Sequence, residues 1–208
     1  MKKIWISLIG IIFTFTALGA EFTEGHQYIK LENSITREPQ VVEFFSFYCK
    51  HCYEFDEVYH IFNAVKKVLP INTTITKYHV SFLGPLGKQL TQAWAVAMIL
   101  GIEDKVGPLL FDNLQKQHII QTSDDIRAIF IKAGVRIKEY DSAWNSFMVK
   151  LLVIKQEKAA DNLHLRSVPA MLVNGKYMVK NDGLDLLWVD DDYVKQFSNL
   201  VKFLLSQQ

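Results

Sequence analysis

The sequence predicts an α/β fold with an all-helical insertion, and three observations carry this prediction. An apolar strand pattern from Gln40 to Phe47, a helical period from Cys49 to Leu69 and a second strand pattern from Thr73 to Val80 form a βαβ unit. Residues 82–156 then show mainly helical periodicity, and strand patterns return only after them. The predicted domains are therefore an α/β domain of residues 21–81 and 157–208, and a helical insertion of residues 82–156.

The start of the chain is predicted to be an export signal. Two lysines precede an apolar run from Ile4 to Leu18, and small residues suit cleavage after Gly19 or Ala20. An uncleaved membrane anchor is the alternative, but the run is shorter than the ~20 residues that a spanning helix needs. We expect residues 1–20 to be removed and the protein to work where disulfides persist.

Composition indicates an ordinary globular protein. Half of the 208 residues are hydrophobic and 22% are charged, which is enough apolar material for a sizeable core. The net charge is +1, and loss of the two leader lysines would make it −1. No basic patch points to nucleic acid.

The only two cysteines, Cys49 and Cys52, stand where the first strand of the βαβ unit passes into its helix. A helix N-terminus offers free N–H groups and a partial positive charge, and both favour a thiolate. We expect an exposed, acidic nucleophile at Cys49 and a shielded resolving thiol at Cys52. Lys50 and His51, between them, are the candidate cations.

Two other interpretations of the cysteine pair were weighed. Half of a structural zinc site would need a second Cys or His pair, and the remaining histidines show no such spacing. A permanent structural disulfide would close almost no loop and so would add little stability. The position between strand and helix favours redox chemistry.

The other predicted elements follow in chain order. They are an edge strand at 28–31, helices at 90–100, from Pro108, at 126–133 capped by Ser123-Asp124-Asp125, and at 140–162, a hairpin at 171–179 with Asn174-Gly175 at its turn, and a last helix from about Asp190 to Ser206.

Several long strings resemble the DsbA family of bacterial disulfide oxidoreductases, which has a thioredoxin fold with an inserted helical domain. The resemblance covers nearly the whole chain after the leader. The strings are Phe44-Phe45-Ser46-Phe47, Thr76-Lys77-Tyr78-His79-Val80, Leu90-Thr91-Gln92-Ala93-Trp94-Ala95-Val96-Ala97-Met98, Ala143-Trp144-Asn145-Ser146-Phe147, and Val168-Pro169-Ala170-Met171 with Val173-Asn174-Gly175-Lys176-Tyr177.

The resemblance implies roles for individual residues. Cys49 would be the nucleophile, Cys52 the resolving thiol and His51 the residue that most stabilises the Cys49 thiolate. Pro169 would be a cis-proline facing the disulfide, and Val168 would expose its backbone to an extended substrate strand.

A buried acid and its lysine are also implied. Glu43 interrupts an apolar strand, and an exposed edge position is the alternative explanation. In the family the matching acid is buried beneath the site, assists proton transfer at Cys52 and is partnered by the residue matching Lys77. Burial would raise its pKa towards a useful range.

The sequence departs from the family in two places. Lys50 replaces a proline, which frees a backbone N–H and adds a screened positive charge, so the redox potential stays open. Residues 180–191 also differ, in a region that helps form the groove for the reoxidising partner. The apolar Leu186-Leu187-Trp188 within it fits a docking patch or, more simply, a buried strand.

The expected function is that of a periplasmic, monomeric thiol:disulfide oxidoreductase that donates the Cys49–Cys52 disulfide to exported proteins. The implied partners are those reduced proteins and a DsbB-type membrane quinone reductase that restores the disulfide; no metal or organic cofactor is required. The alternatives are a disulfide reductase or isomerase, a non-redox peptide-binding chaperone and, third, a zinc-binding protein.

Overall fold

A computed structural model describes residues 22–184 and 191–207. A five-stranded mixed sheet has the order β1-β5-β4-β2-β3. Its strands are β1 (Tyr28–Lys30), β2 (Gln40–Phe45), β3 (Thr74–His79), β4 (Ala170–Val173) and β5 (Tyr177–Val179). The α-helices are α1 (Lys50–Tyr53), α2 (Ile61–Val68), α3 (Gly87–Leu100), α4 (Glu103–Phe111), α5 (Ser123–Lys132), α6 (Ile137–Trp144), α7 (Phe147–Asn162) and α8 (Asp191–Ser206).

The predicted βαβ unit is confirmed. β2 and β3 pair in parallel, and β4 pairs with β2 on its other side in the antiparallel sense. Because β2 has a neighbour on both sides, its residues are almost all buried, as the continuous apolar run predicts. The register sets Glu43 of β2 directly beside Lys77 of β3.

The single helix predicted from Cys49 to Leu69 is wrong, because it is interrupted in the middle. After α1 comes a π-helical turn, Glu54–Val58, closed by a 2.9 Å hydrogen bond from Tyr59 N–H to Glu54 O. His60 is left-handed, with φ 52°, and α2 begins after it. A π turn adds a residue to the helical repeat, and apolar spacing alone does not register that addition.

Three helix boundaries in the insertion also differ from the predictions. The 140–162 helix is two helices, because Ser146 is extended and its side chain caps α7 through Val149 N–H. Pro108 lies inside α4, which begins instead at the acidic Glu103. The cap of α5 is Thr122, in a capping box with Asp125.

The C-terminal hairpin has the predicted turn. Asn174 and Gly175 both have positive φ, 50° and 67°, as the Asn-Gly pair favours. Val173 pairs with Tyr177, which leaves Lys176 as an additional loop residue.

The predicted leader, residues 1–20, and the apolar Leu186-Leu187-Trp188 lie outside the described residues. Within the described part of the chain, no helix combines the length and apolar character required to cross a bilayer. The division into a sheet domain and a helical insertion stays a proposal, and α7 runs unbroken across the predicted boundary after residue 156.

Candidate active site

Cys49 is the N-cap residue of α1. Its backbone is extended, with φ −86° and ψ 114°, and its Sγ accepts a 3.1 Å hydrogen bond from the backbone N–H of Cys52. Cys49 is partly exposed, whereas Cys52 is fully buried, and both are free thiols. The predicted asymmetry between a reachable and a shielded sulfur is therefore present in the geometry.

The two thiols have opposite pKa shifts. The pKa of Cys49 is lowered to about 7, first by a hydrogen bond from the Cys52 thiol and further by the Cys52 backbone N–H and the charge of His51, against the effect of partial burial. The pKa of Cys52 is raised, chiefly by burial. At neutral pH, Cys49 is thus the sulfur that carries negative charge.

Lys50 and His51 both lie on the outside of the turn. Their side chains are 82% and 79% exposed, and each reaches the same carboxylate, that of Glu54. The His51 Nδ1 is 3.0 Å from Glu54 Oε2, and the Lys50 Nζ is 3.8 Å from Glu54 Oε1. Glu54 is a residue that the sequence interpretation did not single out, although its i,i+4 spacing from Lys50 is a recognisable signal.

Glu43 is buried inside the sheet, so the exposed-edge alternative is excluded. Lys77 Nζ lies 3.7 Å from Glu43 Oε2 and pairs more closely with Asp56 of the π turn. Burial, opposed by the charge of Lys77, raises the pKa of Glu43 to about 8. Asp56 was also missed, yet it follows Cys52 by four residues and therefore lies on the same helical face.

The loop before β4 closes over the reactive sulfur. The peptide bond between Val168 and Pro169 is cis, as the resemblance implies. The Cys49 thiol donates to the Val168 carbonyl across 3.2 Å. Asn181, from a 3₁₀ turn after β5, donates its side-chain N–H to the Pro169 carbonyl at 2.8 Å.

A buried histidine secures the strand end ahead of Cys49. His79 Nε2 accepts from Phe47 N–H at 3.1 Å, while its Nδ1 lies 2.9 Å from Thr91 Oγ1. Burial lowers the pKa of His79 to about 3, so the ring is neutral and one nitrogen is free to accept. Gln115 completes the support by donating to the Phe47 and Cys49 carbonyls.

These supporting residues carry no signal in the sequence, because they come from distant segments and differ in type. By contrast, the structure brings together all of the site residues predicted from the sequence, with Lys50 and His51 at the surface and Glu43 and Lys77 below. Among residues 22–184 and 191–207, no group of three or more His, Cys, Asp or Glu side chains is placed to hold a metal ion.

An acidic, reachable thiol beside a shielded one is suited to exchanging a disulfide with thiols of another protein. On this mixed sheet, that chemistry places the chain in the class of thioredoxin-like thiol:disulfide oxidoreductases. The sequence profile of the DSBA-like thioredoxin domain matches residues 40–190, and the chain belongs to that family.

Individual relatives agree with the family assignment. The chain is 60% identical to the thiol:disulfide interchange protein DsbA of Pectobacterium carotovorum subsp. carotovorum over 208 residues, which is 100% of both chains. It is similar to the crystal structure of the disulfide oxidoreductase DsbA from Proteus mirabilis, with a TM-score of 0.85 and 49% identity, covering 90% of this chain and 98% of the other. A complex of the Proteus mirabilis DsbA with a non-covalently bound peptide has a TM-score of 0.86 and 48% identity, covering 90% and 100%.

Proposed function

We propose that the protein works in the periplasm as a monomeric oxidase that donates the Cys49–Cys52 disulfide to exported proteins as they fold. The observation that carries this proposal is the lowered pKa of Cys49 beside the buried Cys52. Stabilising the Cys49 thiolate stabilises the dithiol form and therefore makes the disulfide a better oxidant.

The reaction proceeds by two exchanges. A substrate thiolate attacks Cys49 Sγ, the Cys49–Cys52 bond breaks, and Cys52 leaves with the electron pair and takes up a proton. A second substrate thiolate then attacks the substrate sulfur of the mixed disulfide and releases the Cys49 thiolate. The substrate loses two electrons and two protons overall, and the enzyme becomes the dithiol.

Val168 and Pro169 hold the substrate chain beside Cys49. Val168 lies against the reactive sulfur, and an extended peptide that pairs with this backbone would bring its own cysteine to Cys49. The peptide complex of the Proteus mirabilis relative supports this role. Reoxidation by a DsbB-type membrane quinone reductase completes the cycle.

Glu43 delivers the proton that Cys52 takes up when it leaves. With a pKa of about 8, Glu43 is protonated at neutral pH, and its charge acts on Cys52 when it ionises. In the variant Glu43→Gln we expect formation of the mixed disulfide to slow several-fold, with little change in the glutathione equilibrium. Stopped-flow reduction by a model peptide measures it, and an unchanged rate would remove Glu43 from the mechanism.

The oxidase proposal is tested with reduced, unfolded ribonuclease A and stoichiometric oxidised protein. The wild type should restore ribonuclease activity within minutes, and Cys49→Ala should restore none above the buffer control. Activity that survives in Cys49→Ala would favour a non-redox chaperone. A glutathione equilibrium as reducing as that of thioredoxin (about −270 mV) would favour a reductase or isomerase.

A further inference from the structure

Both cations between the cysteines share one counter-ion. Glu54 begins the π turn, and its carboxylate reaches back one turn to Lys50 with one oxygen and to His51 with the other. The Glu54 side chain is only 29% exposed, while those of Lys50 and His51 are largely in solvent. The less mobile partner therefore sets where the two cations lie.

We propose that Glu54 is the redox-tuning residue of this site, because it balances the charges of Lys50 and His51 and restrains both side chains beside itself. The disulfide is then a weaker oxidant than the two cations alone would make it. This inference rests on the proposed redox function. Glu54 has no recorded contact with the reacting sulfur, so it is a positioning residue and not a catalytic one.

The sign of the effect follows from which redox form carries charge. Only the dithiol form has a thiolate at Cys49, so positive charge nearby favours the dithiol and negative charge favours the disulfide. Glu54 supplies the negative charge and also engages the Lys50 ammonium, which would otherwise be free to sample positions nearer Cys49. Removing the carboxylate should therefore shift the equilibrium towards the dithiol.

The size of the effect is limited by solvent. Exposed ion pairs of this kind are worth little, which corresponds to about a two- to fivefold change in an equilibrium constant. Salt screens such pairs, so the effect should shrink as ionic strength rises.

The test uses the charge-removing variant Glu54→Gln in the purified protein. Its redox equilibrium with glutathione at pH 7, in which two glutathione thiols reduce the protein disulfide and form oxidised glutathione, should shift about two- to fivefold towards the dithiol. The ultraviolet thiolate absorbance should show a lower Cys49 pKa. Both changes should be smaller at ~0.5 M salt than at ~0.02 M.

Two comparisons make the result specific. The variant Glu139→Gln removes an equally acidic partner of Arg136 in α6, away from the cysteines, and should leave the redox equilibrium unchanged. If Glu54 acts through Lys50, the shift caused by Glu54→Gln should be smaller in a Lys50→Gln background.

The inference is overturned if Glu54→Gln matches Glu139→Gln, if it shifts the equilibrium towards the disulfide, or if its effect is the same with and without Lys50. This outcome is distinct from failure of the proposed oxidase function, because the glutathione equilibrium is measured without a protein substrate. Circular dichroism and a denaturant titration establish that each variant is folded.

Discussion

Cys49 and Cys52 are chemically identical side chains three positions apart, and their surroundings separate their pKa values. Cys49 is a helix cap that accepts hydrogen bonds, whereas Cys52 is buried. The sequence predicts this difference correctly, since the cap and the first turn of a helix differ in that way wherever they occur. The cation contribution was less predictable, because whether Lys50 and His51 act on Cys49 depends on Glu54.

At this scale, we predict that the Cys49 thiol of the reduced protein titrates at about pH 7, well below its ordinary value of 9.0. The measurement is the rise of thiolate absorbance at 240 nm with pH. The variant Cys49→Ser should lose this transition, because the pKa of the buried Cys52 is raised. A wild-type midpoint near pH 9 would contradict the prediction.

The same shift has a consequence for stability. Since the folded-state pKa of Cys49 lies below its unfolded value, the unfolded reduced chain binds more protons between about pH 7 and 9. The stability of the reduced wild type relative to Cys49→Ser should therefore rise with pH across this window and be lost below it.

At the scale of the elements, the sequence predicts which elements exist better than where they end. All five strands agree with the predicted strand patterns, because period and β-branched composition are local signals. The breaks at His60 and Ser146 were missed. Each lies within an apolar repeat that continues on both sides, so only the hydrogen bonding of the folded chain reveals it.

The corrected start of α5 gives a prediction at this scale. Thr122 Oγ1 accepts from Asp125 N–H at 3.2 Å, and Asp125 Oδ2 accepts from Thr122 N–H at 2.8 Å. The variant Thr122→Ala should lower the free energy of unfolding by about 1 kcal/mol, because it leaves a helix N–H without its cap.

The neighbouring serine is the matched control for this cap. Ser123 is the first helical residue and not the cap, so Ser123→Ala should change stability by less than ~0.5 kcal/mol. Urea denaturation of the two variants measures both values. A larger loss in Ser123→Ala than in Thr122→Ala would restore the capping position predicted from the sequence.

At the scale of the whole molecule, buried polar contacts join the sheet to the helices inserted after it. Gln156 of α7 accepts from His79 N–H at 2.9 Å and donates to the Thr91 carbonyl. Trp94 Nε1 of α3 donates to the Lys77 carbonyl at 2.9 Å. The strand that carries the proton-transfer lysine is thus held by the helical segment.

We predict that Gln156→Ala lowers the free energy of unfolding by about 1–3 kcal/mol, because it leaves the buried N–H of His79 without a partner. Denaturant unfolding measures the loss. Lys158→Ala, two residues further along the exposed side of α7, should cost less than ~0.5 kcal/mol. Equal losses in the two variants would show that the contact contributes nothing.

The sequence alone determined the α/β class, the redox cysteine pair and, through family resemblance, the residues Glu43, Lys77 and Pro169. These follow from local periodicity and from short strings that stand next to each other in the chain. Only the tertiary structure decided that Asp56 shares Lys77, that Gln156 holds β3 and that Glu54 holds both cations of the motif. Those contacts depend on where separate elements, or the two sides of a π turn, come to lie, and no periodic pattern encodes that distance.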